Sequence, residues 1–141
     1  MSRSPAALIM FALTSMFVLP AKADAFDFQS PSGNIHCMAD DDPSEGGVRC
    51  DILQMSRISF PDKPDDCNLD WGRAFYVGAA EPSTPACAGD IIVNPDSRVL
   101  EYGERLLVGD YIVCYSEKTG MECQNSRGSG FSLSRQKQTV Y

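Results

Sequence analysis

Residues 111–125, YIVCYSEKTGMECQN, contain two runs of β-forming side chains on either side of the polar loop EKTG. The glycine of this loop suits the positive φ of tight hairpin connections. Symmetric pairing about the loop sets Ser116 opposite Met121 and Cys114 opposite Cys123. Directly opposed residues of antiparallel strands lie about 4.5–5.5 Å apart between Cα atoms, within disulfide reach. The stretch predicts a hairpin cross-linked by a disulfide.

The four other cysteines extend this framework. Cys37 and Cys50 each have an apolar residue two positions away, so each shares a strand face with apolar neighbours. The segment between them, 39–47, is polar and Gly-rich, as a hairpin loop should be. This pattern predicts a Cys37–Cys50 disulfide and, by elimination, pairs Cys67 with Cys87.

Metal binding is the alternative use of six cysteines. The sequence has no Cys-x-x-Cys motif and a single histidine, His36, so the usual zinc spacings are missing. An even cysteine count in an exported domain is typical of disulfides. We therefore predict disulfides, with no metal ion and no other cofactor.

The N-terminus has the pattern of an export signal. A basic start at Arg3 precedes an apolar run over 6–19 and the sequence Ala21-Lys22-Ala23. This organisation predicts a signal peptide over residues 1–23, with cleavage after Ala23. An uncleaved N-terminal anchor is the alternative, although the run is short of the roughly 20 residues of a membrane-spanning helix. We expect a periplasmic or secreted protein without stable membrane insertion.

The charge balance is acidic. The chain carries 12 Lys+Arg against 19 Asp+Glu, a net charge of −7. Cleavage removes two basic residues and no acid, which leaves ten basic against 19 acidic residues and a charge of −9. An acid excess argues against nucleic-acid binding, which needs clustered Lys and Arg. It suits solubility and steering toward a cationic partner.

Short runs of β-forming residues, separated by Gly and Pro, recur along the chain. The predicted strands are 26–29, 34–38, 48–53, 55–60, 91–93, 100–108, 131–134 and 139–141, together with a turn and strand in 68–77 and a long loop over 79–90. No segment after residue 24 keeps a helical period over ten residues. The pattern predicts one all-β domain over 24–141, an antiparallel sandwich or barrel with three disulfides.

A series of motifs spans nearly the whole mature chain. In order, they are FQSPSGNI-x-C (28–37), CDI (50–52), C-x-x-DWG-x-x-F (67–75), C-x-GD (87–90), L-x-YG (100–103) and C…G-x-x-C-x-N-x-x-GSGF-x-LSR (114–135). This series resembles DUF6636, a family of exported bacterial proteins of unknown function. The resemblance implies export and a disulfide framework and supplies no activity. This chain has Ser129 where the family pattern carries histidine.

A hydrolase triad is one hypothesis for catalysis. Ser32 lies close to His36 in sequence, and aspartates are abundant. A triad needs a positioned nucleophile, base and orienting acid. His36 adjoins Cys37 and so lies on the opposite strand face, where we expect it to be solvated. We predict no catalytic residue.

The acidic run Asp40-Asp41-Asp42, with Glu45, offers oxygen ligands of the kind that calcium prefers. The run continues directly into Pro43 and lacks EF-hand spacing. We predict a charged, exposed hairpin tip.

The only tryptophan follows an acid, in the sequence Asp70-Trp71-Gly72. An exposed indole beside a carboxylate can stack on a sugar ring and bind its hydroxyls. The alternative, which we favour, is a core Trp that packs on a disulfide.

The stretch RGSGF, with Arg127 and Ser129, offers a cation and backbone N–H groups to an anion. The favoured alternative is a tight turn whose glycines adopt positive φ, with Phe131 and Leu133 in the core. Arg135 follows on this strand face and is expected to pair with a carboxylate.

These features favour a non-enzymatic, exported binding domain, and one version is an inhibitor of a cationic hydrolase such as lysozyme. A second hypothesis is a glycan-binding or glycan-active module built on Trp71 and nearby acids. A third is a structural protein of the cell envelope. The partner is accordingly expected to be a cationic protein or an envelope glycan.

Overall fold

The structure, a computed structural model, describes residues 17–19 and 24–141. The predicted signal peptide lies outside the described residues, except for 17–19, which are exposed and form no strand or helix. Within the described ranges, no helix is long and apolar enough to cross a membrane.

The described residues form eleven strands in two sheets. Their bounds are β1 Ala25–Gln29, β2 Ile35–Asp40, β3 Gly47–Ile52, β4 Asp70–Gly78, β5 Thr84–Ala88, β6 Arg98–Val99, β7 Arg105–Val108, β8 Ile112–Glu117, β9 Gly120–Asn125, β10 Gly130–Leu133 and β11 Gln138–Val140. The first sheet has the order β5-β4-β3-β2-β1-β6 and the second β11-β10-β9-β8-β7. Neighbouring strands are antiparallel, apart from β6, which runs parallel to β1. The all-β prediction is confirmed, and the architecture is a sandwich of two meanders.

All three predicted disulfides are present. Cys37 lies opposite Cys50 in the register of β2 and β3, and Cys114 lies opposite Cys123 in that of β8 and β9. The Cα atoms of these pairs are 4.1 and 4.0 Å apart. The third disulfide, Cys67–Cys87, joins the segment before β4 to the edge strand β5 with a Cα separation of 5.8 Å.

The 111–125 hairpin has the predicted register but a tighter loop. Glu117 pairs with Gly120, so the connection is two residues long rather than four. A glycine is needed at position 120 mainly because the backbone of Leu133 lies close to it. A Cβ at this position would lie 1.7 Å from the carbonyl oxygen of Leu133.

The core lies between the two sheets and is built from alternate residues of the strands. Phe75 of β4 has no exposed surface. Its ring centroid lies 5.7 Å from that of Phe60 and 6.4 Å from that of Phe131 on the second sheet. Burial of Phe75 and Phe131, with the partly buried Phe60 packed against them, is a large part of the apolar driving force.

Two predicted strands are wrong, and so is one predicted loop. Segment 55–60 is irregular and forms hydrogen bonds with the β10–β11 connection instead of with a strand: Ser56 N–H donates to the Arg135 carbonyl at 2.8 Å. Segment 91–93 is irregular because it crosses the outer face of the first sheet, where Ile92 N donates to Asp51. Segment 79–90, predicted as a loop, contains β5, which pairs along β4.

The predicted turn at residues 70–72 is also wrong. Asp70 begins β4, and the pairing with β5 shifts register between Asp70 and Ala74. At this irregularity the backbone adopts a left-handed conformation at Gly72, whose φ is +83°. Pairing of Asp70 with Ala88 of β5 overrides the local turn composition.

Candidate functional site

Hairpin loops alternate between the two ends of the sandwich because both sheets are meanders. One end carries the loops 41–46, 79–83, 109–111 and 126–129. Hydrogen bonds between the sheets hold these loops together: the Tyr111 hydroxyl donates to the Asp41 carbonyl at 2.8 Å, and Asn125 Nδ2 donates to the Glu81 carbonyl at 2.9 Å. We call these four loops, with Asp24 and Asp40 beside them, the acidic end.

The charged side chains of the acidic end are almost all negative. Its carboxylates belong to Asp24, Asp40, Asp41, Asp42, Glu45, Glu81 and Asp110. Within the segments just defined, the one basic side chain is that of Arg127. The acidic end therefore carries a local excess of negative charge.

The 41–46 loop is ordered by its own aspartates. Asp42 Oδ1 accepts hydrogen bonds from the backbone N–H groups of Ser44 and Glu45, each at 2.8 Å. These donors, with the Ser44 hydroxyl, lower the pKa of Asp42. The predicted exposed hairpin tip is confirmed, and Asp42 stabilises its shape as an ionised acceptor.

Tyr111 fixes the position of this loop against the second sheet. Partial burial of its ring, together with the nearby charges of Asp41 and Asp110, raises the pKa of the Tyr111 hydroxyl. The hydroxyl therefore stays protonated and keeps donating to the Asp41 carbonyl. The loop enters any encounter largely preformed, which reduces the entropy lost on binding.

Arg127 and Ser129 lie at the acidic end, but their backbone does not form an anion site. The N–H groups of both residues donate to Asn125 Oδ1, at 3.0 and 3.1 Å. Gly128 has a φ of +88°, while Gly130 is confined because a Cβ would lie 2.3 Å from the Cys123 carbonyl oxygen. The part of the anion hypothesis that relied on these backbone N–H groups is wrong, because Asn125 already accepts them. The turn interpretation is confirmed, although only one of the two glycines has positive φ.

Asp70 and Trp71 lie at the other end of β4. Asp70 is exposed, whereas Trp71 is half-buried in the strand. Its indole N–H is buried and has no hydrogen-bond partner among the described residues. Trp71 is thus neither a fully buried core residue nor an open stacking platform.

Arg135 follows β10 at this same far end. Its guanidinium donates to Gln54 Oε1. All ion pairs within 4 Å in the described part of the chain involve Arg49. The expected pairing of Arg135 with a carboxylate is therefore wrong, because the nearest acceptor supplied by the fold is an amide.

His36 does lie on the face opposite Cys37, but the expectation that it is solvated is wrong. It is 4% exposed, because the loop 89–97 covers the outer face of the first sheet. His36 Nε2 lies 3.1 Å from the Gly33 carbonyl, and Nδ1 accepts from Asn94 N–H at 3.4 Å. The Ser32 hydroxyl contacts Ser30 Oγ instead. These contacts contain no Ser–His catalytic pair.

Replacing Gln29 by alanine is expected to destabilise the protein by about 1–3 kcal/mol. Gln29 is 7% exposed, and its Nε2 group holds the 89–97 loop by donating to the carbonyls of Asn94, Pro95 and Ser97 at 3.4, 3.0 and 3.0 Å. The variant leaves these acceptors without a donor. Urea unfolding measures the change, with Gln136→Ala, at an exposed turn position, as the matched control. Equal stabilities of the two variants would contradict this role of Gln29.

No curated protein and no solved structure matches the chain. The profile of the family of unknown function DUF6636 matches residues 8–141, which is nearly the whole chain. The chain therefore belongs to the DUF6636 family.

Proposed function

We propose that this protein is an exported, non-enzymatic binding domain whose acidic end binds a cationic protein. The observation that carries the proposal is the charge distribution at that end, where three of the four loops, together with Asp24 and Asp40, supply carboxylates and the fourth loop supplies the one arginine. Long-range attraction of this kind raises association rates and selects partners of opposite charge.

Three disulfides indicate folding in an oxidising compartment outside the cytoplasm. We propose, more specifically, a periplasmic or secreted protein cleaved after Ala23. Strand β1 begins at Ala25, close to this point. The Asp24 nitrogen donates to Asp41 Oδ1 at 2.7 Å. After cleavage this nitrogen would be an ammonium group, and the contact would become an ion pair.

We propose no catalytic reaction for this protein. The ring nitrogens of His36 both contact backbone groups under the 89–97 loop. A general base needs a free nitrogen within hydrogen-bond reach of substrate. Rigid loops on a disulfide-linked sandwich are instead suited to preorganised binding. One version of this function is inhibition of a cationic hydrolase such as lysozyme.

Calorimetry of the oxidised mature protein with a cationic lysozyme tests the proposal. We expect binding that is strong at low ionic strength and weakens as salt screens the charges. Lysis of bacterial cells by lysozyme should slow when the protein is in equimolar excess. An unchanged lysis rate would exclude the inhibitor version.

Two triple variants separate a specific surface from net charge. Glu45→Gln/Glu81→Gln/Asp110→Asn removes three charges from the acidic end, and we expect it to slow association at least about tenfold at low salt. Asp62→Asn/Asp65→Asn/Asp66→Asn removes three exposed charges from the loop before β4, at the opposite end. Equal effects of the two variants would contradict the proposal, and so would no binding to cationic proteins, which would favour a structural role in the envelope.

A further inference from the structure

A polar cleft of about 420 Å³ lies at the end of the sandwich opposite the acidic end. It is bordered by the β1–β2 turn, the start of the β3–β4 connection, the β8–β9 loop and the turn after β10. Its volume falls within the roughly 300–1,000 Å³ of small-molecule sites. Tyr102, 43% exposed, stands at its edge.

The walls of this cleft are held by their own hydrogen bonds. Asn34 binds the backbone of Gln54 twice: its Nδ2 donates to the Gln54 carbonyl at 3.1 Å, and its Oδ1 accepts from the Gln54 N–H at 2.8 Å. The hydroxyls of Ser30 and Ser32 contact each other at 3.1 Å. The Ser134 hydroxyl closes the turn after β10 through Lys137. The cleft is therefore formed before any ligand arrives.

Several lining groups remain available for a ligand. Lys118 and Arg135 have no carboxylate within 4 Å among the described residues, since both ion pairs found there belong to Arg49. Arg135 uses one N–H on Gln54 Oε1, which leaves the remaining guanidinium donors and the Gln54 amide NH₂ unused. The Tyr102 hydroxyl makes no hydrogen bond within the described chain.

We propose that this cleft binds a carbohydrate that carries a carboxylate, such as a uronic acid residue of an acidic polysaccharide. The guanidinium of Arg135 matches the two oxygens of a carboxylate, and Lys118 adds a second cation. The Tyr102 ring offers a face for the C–H groups of a sugar ring. Donors of Gln54 and Thr119 suit its hydroxyls.

The composition of the lining favours this class of ligand over two others. The cations are opposed by Glu117, so the local charge suits one carboxylate better than a polyphosphate. Most lining residues carry hydroxyl, amide or charged side chains, whose hydrogen-bonding groups suit a hydroxylated ring better than an apolar peptide side chain. A hydroxylated ring with one negative charge satisfies both conditions.

Titration calorimetry of the exported, oxidised protein tests the proposal, with trigalacturonic acid as the probe. Galactotriose, a neutral analogue of the same ring type, and sodium acetate serve as comparison ligands. We expect trigalacturonic acid to bind and each comparison ligand to bind at least about tenfold more weakly. Equal binding of galactotriose, equal binding of acetate or no heat with trigalacturonic acid would each overturn the proposal.

Three variants test whether the ligand binds in this cleft. Arg135→Gln should weaken binding about tenfold, as expected for loss of a charge-assisted hydrogen bond. Glu117→Gln should strengthen it, because it removes a like charge from the ligand's surroundings. Arg105→Gln, at an exposed position on β7 outside the cleft lining, should leave affinity unchanged. Equal affinities of the three variants would overturn the assignment, whatever the outcome for the acidic end.

Discussion

Replacing Cys114 and Cys123 together by alanine is expected to destabilise the protein by about 3–5 kcal/mol. The bond closes a loop with a sequence separation of 9, and loop-closure entropy alone gives about 2.6 kcal/mol for that length. Both sulfurs are fully buried between the sheets, so lost packing adds to this term. A loss of this size is a large fraction of the net stability of a small domain.

Urea unfolding of the oxidised variant measures this loss directly. Lys118→Ala, in the exposed loop of the same hairpin, is the control and should change stability by less than about 0.5 kcal/mol. A loss below about 1 kcal/mol in the double variant would mean that the non-covalent core alone holds the hairpin in place.

The second large effect is expected at Phe75, where substitution by alanine should cost about 3–5 kcal/mol. The ring is fully buried and packs between Phe60 and Phe131, so its removal opens a cavity that joins both sheets. Backbone pairing of β4 with its neighbours restricts collapse around that cavity. Leu107→Ala, at a side chain 60% exposed on β7, is the control and should be nearly neutral. Similar losses in both variants would show that the intersheet contacts are not the main source of stability.

The fold was predictable where its determinants are close in sequence. The hairpin around Cys114 and Cys123 follows from alternation and a short polar loop, and its register is as predicted. Segment 55–60 and strand β5 depend instead on partners that the local pattern does not specify, respectively the Arg135 carbonyl and strand β4. The environment of His36 was missed for the same reason, because the 89–97 loop returns over the sheet from a distant position.

The candidate sites were predictable only in part. The acidic loop around Asp42 is visible as a run of carboxylates, but Glu81 and Asp110 join it only through the meander topology. If the sequence had predicted strand β5, Glu81 would have been placed in the β4–β5 loop, which lies at the acidic end. The polar cleft combines Gln54, Tyr102 and Arg135 from distant segments, and only Arg135 stood out in the sequence.

The two proposed surfaces are compatible in one molecule. They lie at opposite ends of strands such as β9, whose six residues span about 20 Å. A cationic protein and an acidic carbohydrate could therefore bind simultaneously without contact between them. The salt dependence of binding would not distinguish the two sites, since added salt weakens both charge-based interactions, whereas the Glu45/Glu81/Asp110 and Arg135 variants would.

Both proposals depend on an exported, oxidised domain. The most direct test is the intact mass of the protein recovered from the exporting cell, followed by non-reducing peptide mapping. We predict a chain that begins at Asp24, lacks six hydrogens relative to the reduced form, and contains peptides linked 37–50, 67–87 and 114–123. A retained leader, free thiols or a different set of linked peptides would contradict it.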